Sequence, residues 1–100
     1  MRSRRTRFGI DRAEEIAIDG LSFLAGSADQ MGRFLSLTGI GPSALSDALG
    51  DPALLAAVLE HIIGDEPLLL ELSANRNISP EDIILAWDLL TLAVAEQSRS

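Results

Sequence analysis

Apolar positions recur along most of this chain at helical spacing, in blocks separated by glycine, proline or a short polar residue. Ala13, Ile16, Ala17, Gly20, Leu21, Phe23 and Leu24 make one broad apolar face. They predict a first helix that ends at Gly26. Met31, Phe34, Leu35 and Thr38 follow at i, i+3, i+4 and i+7 and predict a second, closed by Gly39. Leu45, Ala48 and Leu49 are the inward positions of a short third helix over Pro42 to Leu49. Leu54, Leu55, Val58, Leu59, Ile62 and Ile63 give the fourth a wide buried face, with Glu60 and His61 on its wet side and Gly64 as its stop. Leu68, Leu69, Leu70 and Leu72 belong to a fifth, fading through Asn75-Arg76-Asn77. A sixth opens at Ser79-Pro80-Glu81-Asp82 and is expected to reach about Glu96.

The breaks between the blocks agree with the blocks. The four prolines, at 42, 52, 67 and 80, each precede an apolar run. Proline suits the start of a helix because the N–H it lacks has no intrahelical partner there. Asp51 and Ser79 stand where an N-cap is needed. Asp11-Arg12-Ala13-Glu14 and Ser27-Ala28-Asp29-Gln30 have the form of capping boxes. No strand alternation and no internal repeat occurs. The predicted fold is all-α, a compact irregular bundle of five or six short helices over residues 10–96. Residues 1–9 are expected to form a disordered basic arm and residues 97–100 a frayed end.

Composition supports helix, with 17 leucines and 13 alanines in 100 residues, and supplies few aromatics: Phe8, Phe23, Phe34 and Trp87. Cysteine is absent, which rules out disulfides and thiolate zinc sites and fits a reducing compartment. No apolar run reaches the roughly 20 residues of a spanning helix, so we expect a cytoplasmic protein with no membrane partner. A transit peptide is the lesser reading of Met1 to Phe8. Charge is unevenly spread. Residues 1–12 hold five arginines against Asp11, and residues 13–100 hold three arginines against fourteen acids, for a net charge of −7. The acidic body repels nucleic acid, while the arm attracts anions.

Candidate chemistry is sparse. Gly39-Ile40-Gly41 looks like the turn of a helix-hairpin-helix module, in which two glycines admit a phosphate to backbone N–H groups beside a helix start. Gly39 and Gly41, with Arg2, Arg4, Arg5 and Arg7 of the arm, are the nucleic-acid candidates. Against them, Ser43 and Ala44 replace the usual basic or hydroxyl groups, and Asp47 and Asp51 lie nearby. A plain helix-to-helix turn explains the same residues. His61 is the only histidine, and a helix C-terminus favours its charged form. No nucleophile–base relay, metal set or phosphate-loop motif is present, so no catalytic residue, metal or cofactor is expected.

The sixth helix is apolar nearly all round. Ile83, Trp87, Leu90 and Val94 share one face, and Leu85, Leu89 and Leu92 lie nearly opposite. Two readings stand: the helix is the centre of the bundle, or Leu85, Leu89 and Leu92 meet a protein partner or a second copy. The expected function is therefore a non-enzymatic interaction or regulatory module, with weak nucleic-acid binding as the alternative.

Three blocks carry a resemblance: Ala13 to Ala17 running on to Leu24-Ala25, Arg33 to Pro42, and Leu55 to Leu59 running on to Asp65-Glu66. Together they resemble a small bacterial family of unknown function, found mainly in alphaproteobacteria, over roughly residues 12–88. The Thr38-Gly39-Ile40-Gly41-Pro42 turn is its most specific piece. The resemblance implies a cytoplasmic helical domain and brings no established activity or site residues.

Overall fold

The computed structural model describes residues 8–41, 43, 45 and 50–99. Five α-helices are defined among them: α1 (Ile10–Ala25), α2 (Ala28–Thr38), α3 (Pro52–Ile63), α4 (Glu66–Arg76) and α5 (Pro80–Arg99). No strand occurs among the described residues. Most of the short helix expected over Pro42 to Leu49 lies outside them, as do Arg2, Arg4, Arg5 and Arg7 of the arm. Of that helix, Ser43 and Leu45 are helical, and Leu45 packs half-buried against the core.

Side-chain caps set four of the five starts. Ser27 Oγ accepts from the Gln30 N–H at 3.3 Å, Asp51 Oδ1 from Ala53 at 3.0 Å, Asp65 Oδ1 from Leu68 at 3.3 Å and Ser79 Oγ from Asp82 at 3.1 Å. Each satisfies a first-turn donor that the helix leaves open. Pro52 and Pro80 take the first helical position, while Pro67 follows Glu66 into the first turn behind Asp65.

Two expected capping boxes are not formed as such. α1 begins at Ile10 with Gly9 at its N-cap and no side-chain bond there, so Asp11 lies in the first turn instead of capping. Half-buried Phe8 packs on the core, and the helix enters two residues earlier than an Asp11 cap would place it. In the second box Ser27 caps, but Gln30 does not reach back. Its Oε1 is buried without a hydrogen-bond partner, and the Ser27 N–H donates to the Leu24 carbonyl.

The C-terminal ends vary. Gly39 closes α2 in the left-handed region at φ 75°, and its N–H donates to the Leu35 carbonyl at 2.9 Å. Only glycine takes that conformation without cost. Asn77 closes α4 at φ 55°, and the next residue, Ile78, is buried and donates to the Ser73 carbonyl. α5 continues through Gln97–Arg99 instead of ending near Glu96, and the Ser98 hydroxyl donates to the Val94 carbonyl at 3.2 Å.

The core is aliphatic around one fully buried ring, Phe34. α1, α3 and α5 pack extensively on one another, and α2 and α4 flank them. Close packing of α1 on α3 depends on Gly20: a Cβ there lies 3.0 Å from Ile62 Cδ1 and 3.4 Å from Val58 Cγ1. The one ion pair between helices joins Arg76 Nη1 of α4 to Asp19 Oδ1 of α1 at 3.1 Å, among the described residues. The molecule is 20 Å across its shortest axis, about two helix diameters. At that thickness, a helix covered by neighbours on one broad side faces solvent on the other.

Candidate interaction surface

α5 shows this most clearly. Ile83, Ala86 and Leu90 point into the core, and Trp87 and Leu89 are half-buried against it. Leu85 is 41% exposed and Leu92 60% exposed, and Ile84 flanks them at 41%. Successive residues turn by about 100°, so Leu92 lies nearly opposite Ile83 and Leu90. The helix therefore packs centrally on one side and is uncovered on the other. Of the three interface candidates, Leu85 and Leu92 lie on the open face, and Leu89 turns toward the core. Ile84, not singled out by the sequence pattern, is exposed to one side of them, across Asp88.

The turn after α2 has its own geometry. Thr38, expected on the inward stripe, is exposed. Its hydroxyl donates to the Phe34 carbonyl at 2.8 Å and accepts from the Ile40 N–H at 3.4 Å. Polar competition at the end of the helix draws the side chain back onto the backbone. Ile40 packs half-buried on the core, while Gly39 and Gly41 are exposed with open space where a Cβ would stand. The N–H groups of Gly39 and Ile40 are thus already donating within the chain.

His61, expected on the wet side, is half-buried. Its ring meets Phe34 edge-on, with centroids 5.4 Å apart and planes at 71°, and its Nε2 is buried without a partner. Burial pushes its pKa below the ordinary 6.5. The Arg33 charge pushes the same way, and Asp65 partly opposes them. Desolvation is the largest of these influences, and the net shift is opposite to the one a helix C-terminus alone would give. A group whose folded-state pKa is lowered binds more protons when unfolded, so stability falls as pH drops from about 6.5 through the folded value. Urea midpoints between pH 7.5 and 5 are expected to decline in the native chain and to flatten in His61→Gln. Equal slopes would remove His61 as the cause.

Two depressions are lined wholly by described residues. One, of about 420 Å³, lies where α1, α2 and α4 meet, lined by Ser22, Ser27, Gln30, Glu71, Asn75 and Arg76 among others. It offers one carboxylate, one guanidinium and several neutral polar groups, and His61 is not among its lining residues. The other, of about 250 Å³, is a shallow groove between α3 and α5, with Ala53 and Ala57 facing Trp87 and Val94. No group of three or more potential metal ligands occurs among the described residues, and no described helix is long and apolar enough to cross a membrane.

Together these features describe a small all-helical domain whose last helix presents an uncovered apolar face. The model of a family described as proteins of unknown function, DUF3572, matches residues 10–92, and the chain belongs to that family. The match runs from the start of α1 into α5 and ends at Leu92. No curated protein and no solved structure matches the chain.

Proposed function

We propose that this protein is a non-enzymatic interaction module that engages a protein through the outer face of α5. The observation that carries the reading is the exposure of Leu85 and Leu92 on a helix whose opposite face is fully used by the core. Single exposed apolar residues are ordinary, but Leu85 and Leu92 lie on one line of the same helix with Ile84 to one side, and apolar residues gathered on one helix face mark contact surfaces. The family resemblance supports a bacterial cytoplasm as its setting, and the cysteine-free composition fits that compartment.

The test is a double variant, Leu85→Ser with Leu92→Ser, compared with the native chain for association in native lysate and in purified form. Exposed positions tolerate each such change within about 0.5 kcal/mol, so far-ultraviolet circular dichroism should be nearly unchanged and the melting temperature should fall by no more than about 8 °C while association is lost. Unfolding of the variant would show that the two leucines serve the core and would remove the main support for an interface. Nucleic acid in the eluate, lost at high salt and on deletion of residues 1–7, which spares Phe8 and the Gly9 cap, would move the function to the Gly39–Gly41 turn and the arm.

A further inference from the structure

We infer that the outer face of α5 pairs with α5 of a second copy of this chain, antiparallel, with Glu81 of each copy against Arg99 of the other. The inference rests on the reading of that face as an interface and names its occupant. Glu81, Leu85, Asp88, Leu92, Ala95 and Arg99 follow one another at alternating four- and three-residue steps, and all six are exposed. That spacing is the seam of a paired coil, one stripe running straight along the helix. It lies opposite the stripe of Ile83, Ala86 and Leu90 that faces the core. The seam runs the length of a 20-residue helix, about 30 Å.

Charge selects both partner and direction. The seam is acidic at its first position and basic at its last, so it complements itself when reversed. About a two-fold axis at the level of Leu90, Glu81 meets Arg99, Leu85 meets Ala95 and Asp88 meets Leu92. A parallel pair sets Glu81 on Glu81, Asp88 on Asp88 and Arg99 on Arg99. Opposed helix dipoles favour the antiparallel arrangement as well. Asp88 interrupts the apolar run, and each copy carries a net charge of −7, so the pair is weak and reversible.

Sedimentation equilibrium of the full chain in about 0.15 M salt, where the Debye length is about 8 Å and long-range repulsion is screened, tests the pairing. The native chain is expected to populate a dimer at high concentration. Glu81→Arg and Arg99→Glu should each weaken it roughly tenfold, since each turns two symmetry-related attractions into repulsions. The two changes together should restore affinity to within about threefold. Circular dichroism of each variant checks that the exposed substitutions leave the fold intact. Leu92→Glu separates the two levels of the argument. If it abolishes the dimer while the charge variants behave like the native chain, the face is an interface and the antiparallel register is wrong. A dimer that survives Leu92→Glu overturns the register and the interface reading together. A native chain that stays monomeric at about 1 mM overturns self-pairing alone, leaving the face to a different protein.

Discussion

Replacing Phe34 by alanine is expected to lower the unfolding free energy by about 3–5 kcal/mol, read from urea denaturation. Phe34 is the one fully buried residue of α2, and Met31 and Leu35 beside it are only half-buried. The helix therefore docks on a single anchor. Removing a buried ring costs its transfer from water and leaves a cavity that α1 and α3 fill only in part. In a domain of this size 1 kcal/mol moves the melting temperature by about 4–8 °C, so the shift is large. A second readout ties the loss to the contact with His61. Once the ring is gone, the imidazole is wetter and its pKa should move back toward 6.5, measurable by proton NMR. A loss below about 1 kcal/mol with an unmoved histidine would show that α2 is held by something else.

Leu90→Ala is expected to cost about 2–5 kcal/mol, and Leu92→Ala within about 0.5 kcal/mol of nothing. The two leucines are two residues apart on α5, and the helix sets them on opposite sides. Leu90 has no exposed surface, whereas Leu92 is mostly in water. The pair of variants thus reads out which side of α5 belongs to the fold. Similar losses for both would mean that the outer side is covered by the same chain, and the interface reading would fall. The comparison is best made at low protein concentration, where self-association does not add stability to the folded state.

Local chemistry made the helices readable in advance. Asp51, Ser79 and Ser27 cap because a short side-chain oxygen beside a helix start has one obvious task. Gly39 ends α2 because the left-handed turn there excludes most other residues. The expectations that failed are those that depend on remote chain. Asp11 looked like a cap, but the packing of Phe8 starts the helix earlier. Thr38 fitted a periodic stripe, yet its hydroxyl found backbone partners at the helix end. His61 was placed on the wet side with Glu60, and nothing local shows that Phe34 of α2 meets its ring. Asp19 and Arg76 are 57 residues apart and carry no signal that they pair. On α5 the all-round apolar pattern announced two faces. Which of them is uncovered depends on how thin the bundle is, which no single helix encodes.

The groove between α3 and α5 also decides what light can report about this protein. The chain has one tryptophan and no tyrosine. Trp87 lines that groove beside the α3 alanines, with its indole nitrogen buried and unpartnered. Near-ultraviolet absorption and emission therefore come almost wholly from one seam. The indole is expected to emit as a shielded ring and to shift red when α5 leaves α3, whatever α2 is doing. Undocking of α2 would be dark in this channel and visible in far-ultraviolet ellipticity, so a gap between the two melting curves would separate the departure of the helix that Phe34 anchors from the opening of the core.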